Sequence, residues 1–238
     1  MITVLANPQR FLAFSRVALP ILTVVAVALA VVGLWLGFSV PDDYQQGATV
    51  RLLFIHVPAD FTGMVAYACL AGSAFFGLVF RHSLADAAAK AVAPLGAGFT
   101  FLGLVTGAFR GRPMWGAWWV WDARLTSFLI LFLLYVGYMA LQAAIDDETK
   151  AARASGILAL VGAVNLPIIH YSVVWWKSLH QGETIFAVGG SKAAAVYLWP
   201  LGLMAFAYLF GFGALWMARI RGEIWRRRAS ALAVQGAR

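Results

Sequence analysis

Two histidines stand on either side of a tryptophan-rich segment of this chain. His56 lies before the segment, within FIHVP at positions 54–58, and His180 lies after it, within LHQG at positions 179–182. Neutral imidazole is a frequent metal ligand, and two imidazoles can occupy the opposite axial positions of an iron porphyrin. A lone histidine at a membrane interface would be a weak signal. The pair, with the aromatic segment between them, favours one metal centre held by His56 and His180.

The segment between the histidines reads WGAWWVWD over positions 115–122 and carries four tryptophans within seven positions. One or two such rings would indicate no more than the aromatic belt of a membrane protein. A helix through this segment would place three of the rings and the carboxylate on one face, because they are three and four residues apart. We therefore expect a platform for a flat, apolar ligand. Its candidate residues are Trp115, Trp118, Trp119, Trp121 and Asp122.

Three arginines flank this platform, and they are Arg110, Arg112 and Arg124. Any one of them could bind a lipid phosphate or pair with Asp122. Guanidinium groups also bind carboxylates through two parallel hydrogen bonds. The arrangement therefore suits a ligand that has an apolar plane and carboxylate arms.

The absence of several motifs from the sequence excludes other kinds of metal site. One cysteine, Cys69, cannot hold an iron–sulfur cluster, and no Cys-x-x-Cys-His motif is present to attach haem covalently. Cysteine, histidine and carboxylate residues nowhere show the spacing of a zinc site. No GxxxxGK[ST] loop occurs either, so an ATP-driven step would need another polypeptide.

The composition places these residues in a membrane protein. Of 238 residues, 62% are hydrophobic and 12% are charged, with a mean hydropathy of +0.81, whereas soluble domains are about one-quarter charged. A helical crossing needs about 20 apolar residues. Six windows qualify, at positions 18–40, 61–80, 91–109, 125–145, 156–176 and 196–218. We expect an all-α integral membrane protein, a single six-helix bundle over residues 1–238.

The distribution of lysine and arginine predicts how this bundle is oriented. Twelve of the 18 lie on the side that both termini share, and six lie on the other side. A basic excess marks the cytoplasmic side. Both termini are therefore expected in the cytoplasm and the tryptophan segment on the periplasmic face. This accounts for the net charge of +8 without nucleic acid, although the basic tail at 219–228 could also attract anionic membrane lipid.

The tryptophan segment and its continuation, WGAWWVWDARLTS at positions 115–127, resemble the WWD signature of proteins that handle haem during cytochrome c maturation. The chain length, the six windows and the two histidine segments in this order resemble the haem exporter protein C (CcmC) family in particular. The longer relatives that act as haem lyases carry more spans. The resemblance covers nearly the whole chain.

This resemblance implies that haem b binds non-covalently at the outer face, with the WWD segment as platform and with His56 and His180 as axial iron ligands. The arginines would then bind the haem propionates. It further implies delivery of the haem to the periplasmic chaperone CcmE, in a bacterial inner-membrane assembly with CcmD and the transporter subunits CcmA and CcmB. Such a protein would not be a classical enzyme, although it could assist covalent attachment of haem to CcmE.

Two other functions are compatible with parts of the sequence. A transmembrane cytochrome b subunit would also bind haem through histidines, but it would hold them inside the spans, where only His170 is expected. A permease for a small solute would show broken helices and charged groups at mid-span. Apart from Asn165 and Pro167, the windows offer little of that kind. The fourth histidine, His82, is expected in a solvated loop.

Overall fold

The structure is a computed structural model that describes residues 7–176, 180 and 195–236. This part of the chain contains seven α-helices and one 3-10 helix. In chain order they are α1 (Pro8–Phe38), the 3-10 helix (Ala48–Leu52), α2 (Leu53–Phe80), α3 (Ser83–Trp115), α4 (Ala123–Ala144), α5 (Glu148–Gly162), α6 (Asn165–Trp175) and α7 (Ala195–Gly236). Part of the second histidine segment, Leu179, Gln181 and Gly182, lies outside the described part, and so do three of the 18 basic residues counted above, Lys177, Lys192 and Arg238.

Six helical segments of the described chain are long and apolar enough to cross a membrane, which confirms the predicted all-α, six-span architecture. α5 and α6 together form one segment, and the 3-10 helix continues into α2 to form another. In the hydrocarbon core every backbone N–H and C=O must be bonded within the protein, and a helix satisfies these groups by itself. The chain is therefore a multi-pass membrane protein.

The helices extend further than the apolar runs predicted. α1 begins at Pro8 rather than near position 18, because the Asn7 side chain accepts a hydrogen bond from the N–H of Gln9 at 2.8 Å and proline takes the first helical position. α2 begins at position 53 rather than 61, and α3 continues to position 115 rather than 109. Polar residues at helix ends lower the local hydropathy, so windows drawn on apolar runs stop short.

A break divides the fifth span into α5 and α6. α5 ends at Gly162 and α6 begins at Asn165, two residues before Pro167. Proline is tolerated in the first turn of a helix, where its missing N–H leaves no intrahelical bond unmade. The Asn165 amide donates to the backbone carbonyl of Ser127 in α4 at 2.8 Å, which fixes the height of α6 against α4.

The centre of the bundle is built around two tyrosines. Tyr67 of α2 and Tyr135 of α4 are fully buried, and their rings meet edge to face at 5.0 Å. The Tyr135 hydroxyl donates to the backbone carbonyl of Gly63 at 2.8 Å. This bond satisfies the buried hydroxyl of Tyr135, whereas the buried Tyr67 hydroxyl has no hydrogen-bond partner among the described residues. Gly96 of α3 and Gly162 of α5 lie directly against the two tyrosines and give their side chains room.

α1 lies at the edge of the bundle and packs mainly on α7. Gly33 allows close approach there, since a Cβ at this position would lie 2.9 Å from the sulfur of Met204. Most of the remaining α1 surface is apolar and exposed, as expected of a helix in contact with lipid chains. Near its far end, α7 is fixed to α3 by Arg219, whose Nε donates to the carbonyl of Ala91 at 3.0 Å.

We expect Tyr135→Phe to lower the midpoint of thermal unfolding in detergent, because the buried Gly63 carbonyl loses its hydroxyl donor. A buried neutral hydrogen bond typically contributes about 1 kcal/mol. Tyr44→Phe is the matched control, since Tyr44 is 91% exposed. Equal midpoints for the two variants would contradict a structural role for this bond.

Candidate functional site

The conformation of the tryptophan segment is determined by the end of α3. Trp115 is the last residue of that helix, and Gly116 follows with a φ of 72°, a left-handed conformation that suits glycine. The Gly116 N–H donates to the carbonyl of Arg112 at 3.0 Å and closes the helix. Residues 117–122 are not helical. The prediction of one shared helix face is therefore wrong for Trp115, Trp118, Trp119 and Asp122.

The four rings of the segment differ in their contacts and exposure. The Trp115 ring meets the His180 ring edge to face, with centroids 4.8 Å apart. Trp119 is half-buried, and its Nε1 is buried without a hydrogen-bond partner among the described residues. The centroid of its ring lies 5.5 Å from that of the Trp121 ring. Trp118 and Trp121 are 49% and 76% exposed, so the segment has an inner part beside His180 and an outer part open to the surroundings.

Asp122 connects the start of α4 to His180. Its Oδ1 accepts from the N–H of Leu125 at 2.8 Å and caps the helix, while its Oδ2 lies 3.1 Å from His180 Nδ1. Burial lowers the pKa of His180, and the hydrogen bond with Asp122 offsets this only in part. The neutral imidazole therefore donates its Nδ1–H to the carboxylate. Nε2 is then the nitrogen that carries the lone pair, an arrangement that is common among metal-binding histidines.

His56 lies in the first turn of α2, not in a loop before the span as predicted. Its Nδ1 is 3.0 Å from the carbonyl oxygen of Gly103 and 3.3 Å from the hydroxyl of Thr106, both on α3. A carbonyl oxygen can only accept, so Nδ1 carries the proton. Nε2 is the remaining nitrogen, and it lies 3.5 Å from Oδ2 of Asp60.

Two glycines of α3 make room for the side chains of α2. A Cβ at Gly107 would lie 3.0 Å from Cε1 of His56, and a Cβ at Gly103 would overlap the Asp60 carboxylate. Small residues four apart ordinarily indicate only close helix packing. Here the same spacing leaves space for an imidazole and a carboxylate.

The three arginines lie near the same end of the bundle and make different contacts. Arg110 of α3 donates to the Gln46 side chain at 2.9 Å, and its Nε is buried without a partner among the described residues. Arg112 lies over the Trp118 ring, 5.2 Å from the ring centre. Arg124 is the second residue of α4, and its guanidinium makes no hydrogen bond within the part of the chain that the structure describes.

The structure brings the two histidines together with two of the arginines. Arg110 and Arg124 lie close enough to both His56 and His180 for their charges to act on the imidazoles, and His180 lies within the same range of His56. Trp115 borders His180, as described above. Arg112 lies over the Trp118 ring, and Trp118 and Trp121 are both exposed.

The other two histidines lie outside this cluster. His82 caps the start of α3, where its Nδ1 accepts from the N–H of Ala85, so it is a capping residue rather than the solvated loop residue that was predicted. His170 lies on the exposed side of α6, where its ring contacts that of Tyr171 at 4.6 Å.

Asp60 was not among the residues predicted from sequence, because it was assigned to the loop before the second span. It lies four residues after His56, and on a helix residues at that spacing share a face. An ionisable residue inside a span is also a functional candidate in its own right. Extending the second span toward its amino end would have revealed both signals.

The site suits a metal that brings its own equatorial ligands. Among the described residues no group of three or more histidine, cysteine or acidic side chains could surround an ion. Two imidazoles that each present Nε2 are sufficient for an iron porphyrin, which supplies four nitrogen ligands itself. The unpartnered donors on Trp119 and Arg110 are available to an acidic or polar group of such a ligand.

Comparisons with known proteins agree with this chemistry. The model of the haem exporter protein C (CcmC) family matches residues 1–235. Haem exporter protein C of Bradyrhizobium diazoefficiens is 53% identical over 228 residues, which cover 96% of this chain and 87% of the relative. The protein of the same name from Paracoccus denitrificans is 46% identical over 95% of both chains. That of Escherichia coli K12 is 48% identical over 92% of this chain and 89% of the relative.

We expect Gly107→Val to push the His56 ring away from α3 and so to increase its reactivity toward diethylpyrocarbonate, followed residue by residue by mass spectrometry. The added side chain occupies the space that the imidazole fills. Gly98→Val on the same helix is the control, because a Cβ there meets nothing within 4 Å. Unchanged His56 modification in Gly107→Val, with His180 modified as in the native protein, would contradict the described position of this ring.

Proposed function

Because this chain belongs to the haem exporter protein C family, we propose that it binds haem b non-covalently at the periplasmic face of the bacterial inner membrane and delivers it to the chaperone CcmE. Haem is the cargo of the protein rather than a permanent cofactor. The partner proteins CcmD, CcmA and CcmB enter the proposal through the family alone. Covalent attachment of haem to CcmE could be assisted at the same site.

The main support for haem binding is the matching orientation of the two histidines. Both use Nδ1 to contact an acceptor of the protein, a helix carbonyl for His56 and the Asp122 carboxylate for His180. In both, Nε2 is therefore the nitrogen that carries the lone pair a metal would bind. Hydrogen bonds of this kind fix the tautomer and the ring orientation of a metal ligand. We assign His56 and His180 as the two axial ligands of the haem iron.

The surrounding residues suit the other parts of haem. Aromatic rings of the tryptophan segment offer apolar area to the porphyrin plane, and the half-buried Trp115 ring lies beside His180. Guanidinium groups bind carboxylates strongly in partly buried settings. Arg110 and Arg124 act on both histidines electrostatically, so we assign them to the haem propionates. Arg112, which is engaged with Trp118, is assigned to the outer rim of the same site.

Non-covalent binding suits a protein that gives its ligand away. No thioether bond anchors the haem, so the loss of one axial bond to a competing ligand begins its release. The exposed rings of Trp118 and Trp121 lie on the outer part of the segment, and we assign this part as the surface that meets the chaperone.

The proposed orientation follows from the basic residues at the two ends of the bundle. The end that carries the termini includes a dense arginine group on α7, at Arg219, Arg221, Arg226, Arg227 and Arg228. A basic excess of this kind remains in the cytoplasm during insertion. The opposite end, with the histidine cluster, is therefore assigned to the periplasm.

We expect His56→Ala and His180→Ala each to reduce the haem that copurifies with the protein and to change its absorbance spectrum, since each removes one axial bond. Pyridine haemochrome assays quantify the haem. His82→Asn is the control, because asparagine retains a side chain that can cap α3. A double His56/His180 variant with normal haem content and an unchanged spectrum would disprove the axial assignment.

Labelling of single cysteines tests the orientation. In a Cys69→Ser background, Gln45→Cys lies in the loop before the 3-10 helix and Gln235→Cys lies near the end of α7, and both positions are exposed. A membrane-impermeant maleimide added to intact spheroplasts should label position 45 and should reach position 235 only after lysis. The reverse pattern would place the site in the cytoplasm.

A further inference from the structure

We propose that Asp60 competes with the haem iron for Nε2 of His56 and thereby makes His56 the axial ligand that is lost first when haem is released. The inference rests on the proposed function, because it takes His56 as an iron ligand. Its structural basis is a contact between two side chains of α2 that the binding of haem does not itself require.

The contact joins the one nitrogen of His56 that is free for a metal to the carboxyl group of Asp60. Because Nδ1 carries the proton, Nε2 can only accept, so the Asp60 carboxyl group is the donor, through a proton on Oδ2. Asp60 lies one helical turn beyond His56, and its Oδ2 is 3.5 Å from Nε2. Since Nδ1 faces the carbonyl of Gly103, the ring cannot use that nitrogen for iron without leaving α3. Nε2 can therefore face either Asp60 or the metal, but not both at once.

The distance between Oδ2 and Nε2 indicates that Asp60 is a weak competitor for this nitrogen. Hydrogen bonds between nitrogen and oxygen are usually 2.7–3.2 Å long, so a separation of 3.5 Å is at the loose end of a polar contact. An iron–imidazole bond can displace such a contact when haem arrives. The carboxyl group remains close enough to donate to Nε2 again when the iron leaves.

Packing alone does not account for Asp60. Its other oxygen, Oδ1, is buried and has no hydrogen-bond partner among the described residues. A buried polar atom without a partner is costly. The carboxylate fits against α3 only because position 103 is a glycine. A small apolar residue at position 60 would avoid this cost, which favours a functional role for the carboxylate.

The two axial ligands are therefore not equivalent. The carboxylate beside His180, Asp122, binds Nδ1 and supports metal binding at Nε2. The carboxyl group of Asp60 lies at Nε2 of His56 itself, where it donates to the lone pair that iron would bind. One aspartate assists its histidine as a ligand and the other opposes it, so the bond to His56 is the weaker of the two. Haem that has lost His56 is still held by His180 while the chaperone approaches.

The rate of haem transfer to an excess of apomyoglobin tests this inference on the purified, haem-loaded protein. We expect Asp60→Ala to slow the transfer about two- to threefold, the lower end of the range for removal of one hydrogen bond, because the contact is loose. Asp60→Asn should behave like the native protein, because its amide can still donate to Nε2. Asp42→Ala is the control, since Asp42 pairs with Arg51 at 2.9 Å in the outer loop.

The Asp60→Asn variant distinguishes competition for Nε2 of His56 from an electrostatic effect of Asp60 on haem binding. Asp60 also lies near Arg110 and Arg124, so if Asp60 were ionised, its replacement by any neutral residue would tighten the binding of propionates. If charge were the cause, Asp60→Asn and Asp60→Ala would slow transfer equally, and that result would overturn the proposal. Faster transfer in Asp60→Ala would overturn it as well, since it would show that Asp60 supports the ligand.

A second measurement uses the haem-free protein. Asp60→Ala should increase the rate at which diethylpyrocarbonate modifies His56, with no change at His180, because only Nε2 of His56 is uncovered. An unchanged rate at His56 would disprove the contact. If His56→Ala leaves the haem spectrum intact, the proposed axial role fails, whereas the modification rates still decide whether Asp60 covers Nε2. Asp60→Ser serves as the small variant if Asp60→Ala is produced poorly.

Discussion

Each of the two candidate ligand histidines is held through its Nδ1, His56 by the carbonyl of Gly103 and His180 by the carboxylate of Asp122. An imidazole has one lone pair when neutral, so the group that takes Nδ1–H decides which nitrogen remains for a metal. These two contacts involve three helices and a residue beyond α6. The two histidines can bind one metal only if these helices hold them at the right positions. The packing of the helices at this end of the bundle meets that requirement.

The contacts at the site depend on residues that shape the backbone more than on residues that could touch a ligand. Gly103 and Gly107 let α2 bring polar side chains against α3, and Gly116 ends α3 so that the tryptophans leave the helix. Asp122 caps α4 and holds His180 with its two oxygens. A bulky residue at any of these glycines would move a ring or a carboxylate that the site needs.

The six spans and the candidate ligands could be predicted from sequence because both depend on local patterns. A membrane crossing requires a long apolar helix, and imidazole, indole and guanidinium groups indicate their chemistry by type. The shape of the tryptophan segment could not be predicted from its spacing, since the positive φ of Gly116 overrides the helical period. Asp60 was missed because the apolar window began one residue after it. Its contact with Gly103 depends on how two helices meet, which neither segment shows alone.

The height of α6 has a consequence for access. The bond from Asn165 to Ser127 places the start of α6 four residues inside the start of α4, yet α6 continues ten residues to Trp175. At 1.5 Å per residue, α6 rises about 9 Å above the level where α4 begins. Exposed rings of Tyr171, Trp175 and Trp176 line this raised wall. The aromatic rings of α6 thus extend beyond the amino end of α4, and a partner that binds this end of the bundle meets them as well as the exposed rings of Trp118 and Trp121.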